Sequence, residues 1–222
     1  VKAGRNFITT KKGDLGYGLF INAAGAYSDT VAHSFGAGMT YRLIPFKGIY
    51  KTLKRPAADL IRSSIYPVPN IRNPFLGIHF TRSVHGEVYL GPTAIPAFGR
   101  ENYGILKGMD PEAFVILWRD ALMFLNNRKF RGVALEEPKK YLFASFFRDA
   151  RKLVKDLRPE DVEDSPKAGI RPQLVNMETH ELVMDFLVER VGRSVHVLNS
   201  ISPAFTSSMS FAAMVADQYV PK

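Results

Sequence analysis

The chain contains no cysteine. Disulfides, zinc–thiolate sites, thiol nucleophiles and cysteinyl attachment of a prosthetic group are therefore excluded within its 222 residues. Absent thiols suit either redox environment, so they do not set the compartment. No apolar run reaches the about 18 residues that announce a membrane-crossing helix. Val1-Lys2-Ala3-Gly4-Arg5 is not followed by the apolar stretch of a signal peptide. No Met precedes Val1, which is expected of a processed or proteolysed product. There is no internal repeat and no low-complexity tract. G-x-G-x-x-G does not occur, so the full dinucleotide fingerprint is missing from these residues. G-x-S-x-G is missing too, so the serines do not argue for a hydrolase. The five histidines show no metal-ligand spacing with carboxylates, and no metal is expected.

What the sequence does have is positive charge, 30 Lys and Arg against 21 Asp and Glu, a formal +9. A basic balance favours anionic partners. The basic residues are scattered in groups such as Lys51 to Arg55, Arg128-Lys129-Arg131 and Arg148-Arg151-Lys152. None forms a long tract with interleaved aromatics, so nucleic acid is not an expected partner. A solvated face or attraction to a membrane surface accounts for the charge.

Periodicity divides the chain into three blocks and predicts a mixed α and β class. In the first, residues 1–38, the apolar run Tyr17 to Asn22 reads as a strand. The small residues Ala23-Ala24-Gly25 read as a turn, and Thr30 to Phe35 as a helix capped by Ser28 or Asp29. The second block, residues 39–167, has strands first and helices later. Strands are expected over 41–50 and 64–68, with a hairpin of 75–81 and 87–91 about Arg82 to Gly86. Pro111 to Leu125 reads as a helix on which Phe114, Leu117, Trp118, Leu122 and Leu125 share a face. Pro138 to Leu153 reads as the next helix, and Asp164-Ser165-Pro166 as a connector. The third block, residues 168–222, begins with an extended stretch over 169–175. It continues with a hairpin about Val191-Gly192-Arg193 and ends in a helix from Ser207 to Tyr219.

Four places in this pattern suit chemistry. Ala23, Ala24 and Gly25 let a ligand or a neighbouring backbone come close, just before a helix N-terminus that favours phosphate or ribose; tight strand–helix packing explains the same residues. Pro203, Ala204 and Thr206 lead into the last helix and Ser207 and Ser208 open it, and its N-terminus suits an electron-rich group; an ordinary capped helix fits equally. Alternation along Leu76 to Thr81 sends Leu76, Ile78 and Phe80 to one face and Gly77, His79 and Thr81 to the other. His79 there is either a proton acceptor or a hydrogen-bonded structural histidine. Arg171, in an apolar stretch beside Pro172, offers a planar fork to a carboxylate or a salt bridge at a domain edge. Phe143, Phe146 and Phe147 are core, or an exposed face beside Arg148, Arg151 and Lys152 that would touch a membrane surface.

Several stretches resemble, in order, the FAD-dependent L-2-hydroxyglutarate dehydrogenases and oxidases of the D-amino-acid-oxidase-like superfamily. They are Phe20 to Asp29, Ile44-Pro45-Phe46-Lys47-Gly48-Ile49-Tyr50, Ile65-Tyr66-Pro67-Val68-Pro69, Pro74 to Thr81, Leu90 to Ala94, Gly169 to Gln173 and Ser202 to Ser208. The resemblance implies an α/β (α+β) flavoprotein lacking its N-terminal dinucleotide-binding motif. Residues 1–38 and 168–222 would belong to a partial Rossmann-like FAD-binding domain. Residues 39–167 would form a substrate-binding domain, a mostly antiparallel sheet flanked by helices. It further implies hydride transfer from a 2-hydroxy acid, L-2-hydroxyglutarate first, to flavin N5, the electrons passing to a quinone or to oxygen. In that reading His79 and Arg171 are catalytic, and Tyr66, Thr81 and Arg171 bind substrate. Ala23, Ala24, Gly25, Pro203, Ala204, Thr206, Ser207 and Ser208 contact FAD. The protein would be cytoplasmic or peripheral on an inner membrane. Ile49 stands where the family has an acid, and Phe205 where it has a small residue. Without the pyrophosphate cradle the segment by itself would bind FAD poorly and be inactive. A non-catalytic binding module for acidic ligands or a membrane, and a related amino-acid or glycerol-phosphate oxidase, are the alternatives.

Overall fold

The computed structural model describes residues 2–4, 6–68, 77–104, 107–109, 111–201 and 203–220. In chain order the elements are β1 (Lys2–Ala3), β2 (Phe7–Thr10), β3 (Gly13–Gly16), β4 (Phe20–Asn22), α1 (Ser28–Ser34), β5 (Tyr41–Leu53), β6 (His79–Arg82), β7 (Val88–Gly91) and β8 (Ile95–Pro96). They continue as α2 (Ala113–Asn126), α3 (Arg128–Glu136), α4 (Phe143–Leu153), β9 (Val162–Asn176), β10 (Glu181–Leu182), β11 (Leu187–Val191), β12 (Ser194–Asn199) and α5 (Ser208–Tyr219). The class is the mixed α and β one expected. The elements gather into two compact units, Val1–Ile44 with Pro172–Lys222, and Pro45–Arg171.

In the first unit β12 lies between β11, antiparallel, and β4, parallel. A parallel pair needs a crossover and buries its strands, and Val195, His196 and Leu198 of β12 are buried accordingly. Ala32 of α1 packs with Ala37, Leu43, Leu174 and Leu198. Asp29 is buried inside α1; its carboxylate accepts the N–H of Thr30 at 2.8 Å and of Leu43 at 2.9 Å. Neither it nor Ser28 caps the helix, which begins after Tyr27. The antiparallel β1-β2-β3 ribbon was not foreseen, because its strands are short and its last one is exposed throughout.

The second unit is built on β5, β7 and β6, with β8 also beside β5; each of these pairs is antiparallel. Residues 43–48 of β5 are buried without a break, the pattern of a strand covered on both faces. Ile78, Phe80, Val88 and Leu90 pack with Leu53, Ile61, Phe146, Ala150 and Leu157 as the core. The alternation read from the sequence therefore holds for Ile78 and Phe80; Leu76 lies outside the described residues.

Three expectations need correction. Residues 64–68 form one isolated bridge, Ile65 to Phe80, and no strand. The Pro138–Leu153 helix is divided: residues 137–141 form a 3-10 turn with Pro138 in its first turn, Leu142 is extended, and α4 starts at Phe143. Proline lacks the N–H that would continue α3. Asp164-Ser165-Pro166 lies inside β9, not in a connector.

Candidate functional site

His79 and Arg171 line the same cavity in the second unit, about 270 Å³ in volume. Phe46, Gly48 and Tyr50 of β5 form one wall, Pro92 to Ala94 another, and Gly169 and Ile170 lead up to Arg171. The strand β6 begins at His79, so the alternation that buries Phe80 turns the imidazole to the cavity side. Two glycines let the walls meet. A Cβ on Gly48 would lie 2.6 Å from Pro92 Cβ. Gly91 has φ +138°, and a Cβ there would lie 2.8 Å from the Ile49 carbonyl oxygen.

The histidine's tautomer follows from its partner. Its Nδ1 lies 3.1 Å from the Gly77 carbonyl, which can only accept, so Nδ1 carries the proton and Nε2 keeps a lone pair. The Tyr66 ring stacks on the imidazole with centroids 4.4 Å apart. Burial pulls the imidazole pKa below its ordinary 6.5, against the opposing pull of the Gly77 bond. It is neutral at pH 7. Burial also lowers the Arg171 pKa, yet a guanidinium remains protonated. Burial raises the Tyr50 phenol above 10, and nearby Tyr66 adds to the rise, so Tyr50 keeps its O–H. The cavity thus combines one neutral imidazole, one cation and one phenol donor. In the sequence Tyr50 is only the end of the Ile44 to Tyr50 motif; its place on β5, two residues from Gly48, is what exposes it to the cavity. Thr81 lies further along β6 opposite Tyr89 and does not line the cavity.

The turn predicted at Ala23 to Gly25 opens on a different cavity, within the first unit and about 380 Å³ in volume. Ala23, Gly25 and Ser28 line it from one side, and Ser200 and the α5 residues Phe211, Ala212, Val215 and Ala216 from another. The turn is held by a polar chain that sequence reasoning missed. Asn22 Oδ1 accepts the Ala24 N–H at 3.2 Å, and Asn22 Nδ2 donates to Ser28 O at 2.8 Å and to His196 Nδ1 at 3.2 Å. His196 Nε2 then donates to Ser194 Oγ at 2.8 Å. Burial pushes the His196 pKa from 6.5 down to about 4.

The other small-residue segment does not line that cavity. Thr206 Oγ1 donates to Pro203 O at 2.9 Å and Ser207 Oγ to Ala204 O at 3.3 Å, so the hydroxyls close their own turn and leave the α5 N-terminus uncapped by a side chain. Ala204 adopts φ +25°, Ser208 opens α5, and Phe205 is 90% exposed. Among the described residues no group of His, Asp and Glu is arranged to hold a metal ion.

Residues 2–218 match the family model described as FAD dependent oxidoreductase. The chain is 34% identical over 203 residues to the mitochondrial L-2-hydroxyglutarate dehydrogenase of Bos taurus, covering 89% of this chain and 43% of that protein. It is 36% identical over 221 residues to the L-2-hydroxyglutarate dehydrogenase of Indibacter alkaliphilus, covering 96% and 53%. Among solved structures it is similar in fold to glycine oxidase from Bacillus cereus, with a TM-score of 0.51 at 17% identity, over 98% of this chain and 49% of that one. The chain spans about half the length of the curated relatives it matches.

Proposed function

The chain belongs to the FAD-dependent oxidoreductase family, and from that premise we propose that it is the substrate-holding part of a 2-hydroxy-acid dehydrogenase, with L-2-hydroxyglutarate oxidised to 2-oxoglutarate. The observation that carries this reading is the meeting of a neutral imidazole and a guanidinium on one cavity. The relatives named L-2-hydroxyglutarate dehydrogenase support the choice of substrate.

Arg171 binds a substrate carboxylate through two parallel N–H bonds. Tyr50 donates its O–H to the same or the second carboxylate. His79 Nε2 takes the proton of the C2 hydroxyl, while Gly77 holds the opposite ring nitrogen and Tyr66 the ring plane. The C2–H electron pair leaves as hydride and the C2–O double bond forms. FAD, when bound, supplies the acceptor for that hydride.

The first unit's residues fit part of FAD. Ala23 and Gly25 leave room for a ligand against the backbone, and the cavity they open on takes a portion of so large a molecule. Ala24 and the segment Pro203, Ala204, Thr206, Ser207 and Ser208 belong to the same proposed contact set. The pyrophosphate cradle is not among these residues, since G-x-G-x-x-G does not occur.

The final electron acceptor would be a quinone or oxygen, and the protein would be cytoplasmic or rest peripherally on an inner membrane. Support for the membrane contact comes from α4, where stacked Phe143 and Phe147 share an open groove with Arg148, Arg151, Lys152 and Lys155. Sedimentation of the full chain with anionic vesicles, lost at high salt, would support that contact; no sedimentation at low salt would remove it.

The substrate reading is tested by titrating the full chain with L-2-hydroxyglutarate in a thermal-shift or calorimetric assay. Arg171→Met is expected to weaken binding by roughly 10- to 100-fold, the worth of a charge-assisted pair, while flavin uptake, read in a protein that joins this chain to a pyrophosphate cradle, is unchanged. Equal loss of both would make Arg171 structural and defeat the assignment.

A further inference from the structure

We propose that a second cavity of the second unit, enclosed by α2, α3 and β5, binds a small organic cation, an amine carried on a single apolar ring, through the carboxylate of Asp120. This goes beyond the hydroxy-acid reading and does not depend on it.

The cavity measures about 220 Å³, and its lining includes Phe46, Asp120, Ala121, Phe124, Phe130 and Glu137. Its apolar walls come from three phenyl rings and small aliphatic groups. For scale, an apolar protein cavity of roughly 150 Å³ is large enough to take benzene. Asp120 belongs to the inward face of α2, with Ala113, Ile116 and Met123 buried on the same face. Both of its carboxyl oxygens are shielded from solvent and have no hydrogen-bond partner among the described residues. Such an orphan costs stability unless something satisfies it, and a native protein that keeps one usually has a use for it.

The chemistry of the occupant follows from what faces the orphan. Glu137, the other titratable residue of the lining, is already engaged: its Oε2 accepts the Ala94 N–H at 2.9 Å, and its Oε1 pairs with the Lys140 ammonium. The neighbouring Arg119 turns to Glu112 instead. No cation of the lining serves Asp120, so an ammonium brought by the ligand completes it once the carboxyl turns toward the cavity, because both oxygens are sealed from solvent in the ligand-free fold. Phe46, Phe124 and Phe130 present ring faces and edges that favour a cation with an apolar body. A carboxylate ligand would be repelled by both acids. Phe46 and Ala94 also line the His79–Arg171 cavity, so the two cavities share a wall yet take ligands of opposite charge.

Benzylamine is the probe, with benzyl alcohol as its neutral counterpart, each titrated calorimetrically into the full chain. Benzylamine is expected to bind at least tenfold more tightly than benzyl alcohol at pH 8. Because burial raises the Asp120 pKa to about 7, the ionised fraction falls about tenfold from pH 8 to pH 6, and benzylamine affinity should fall by the same factor. Asp120→Asn should abolish benzylamine binding. Ala121→Leu, which keeps the carboxyl and fills the space, should abolish it as well, and serves if the first variant fails to fold. Binding of L-2-hydroxyglutarate should survive Ala121→Leu, which separates the two proposals. Equal affinity for the alcohol, retained binding in Asp120→Asn, or no benzylamine binding at millimolar concentration would overturn the inference.

Discussion

Asp120 and His79 are both ionisable groups carried into apolar surroundings, and burial drives each toward its neutral form, upward in pKa for the acid and downward for the base. The consequences differ in kind. For Asp120 the folded-state pKa of about 7 stands above the ordinary 3.8. Its contribution to stability is therefore complete below pH 4 and is lost as pH rises toward 7. Asp120→Asn should stabilise the chain at pH 8 by roughly 2–4 kcal/mol, by less at pH 5, and not at all below pH 4; denaturant titrations at the three values check this. For His79 the lowered pKa matters to chemistry. The acidic limb of kcat/KM should lie below the pH at which a free imidazole titrates. In a protein that joins this chain to a pyrophosphate cradle, His79→Asn should cost roughly 10²- to 10⁴-fold in kcat/KM with FAD content retained. Loss of FAD along with the rate would place His79 in the structure instead. That a histidine faced the small side of a strand was legible from the alternation of Ile78, His79 and Phe80. That Asp120 is an orphan was not, because a helix carries acids on either face and only packing tells which face is covered.

At the scale of elements, α2 shows how a periodic reading can identify a helix without telling which of its sides is covered. Of the residues placed on one face, Phe114, Leu117, Trp118 and Leu125 are exposed, with Phe114 81% and Trp118 65% open to solvent, and Leu122 is half-buried. The covered face is Ala113, Ile116 and Met123, with the carboxyl oxygens of half-buried Asp120 shielded on the same side. A helix that is apolar nearly all round gives no moment strong enough to fix its orientation. Ile116→Ala should cost about 2–5 kcal/mol, and Trp118→Gln within about 0.5 kcal/mol, in urea unfolding; the reverse order would mean that the exposed face is covered in solution. On β5 the buried run Pro45-Phe46-Lys47-Gly48 was readable as a strand, but the need for glycine at 48 was not, since it arises from Pro92, far away in sequence. Gly48→Ala should destabilise by about 1–3 kcal/mol as the Cβ meets Pro92 and should weaken hydroxy-acid binding at the same time, read in the same thermal-shift assay. Unchanged stability would show that the wall yields.

For the molecule as a whole, two buried groups in separate units oppose each other in pH. His196, in the first unit, has its pKa lowered to about 4. The stability it contributes is present above pH 6.5 and is lost as pH falls toward 4, the inverse of Asp120. His196→Gln should flatten the acid-side loss between those values and loosen the Asn22–Ala24 contact; an unchanged acid limb in pH-dependent unfolding would assign that loss elsewhere. The sequence by itself determined the strand–turn–helix at Ala23 to Gly25, the alternation about His79 and the family resemblance, because each is written in contiguous residues. Only the tertiary structure decided that His79, Tyr50 and Arg171 share one cavity, that Asn22 and His196 brace the turn, and which face of α2 is inward. Those facts join residues remote along the chain, and proximity in space is set by packing, to which local periodicity is blind.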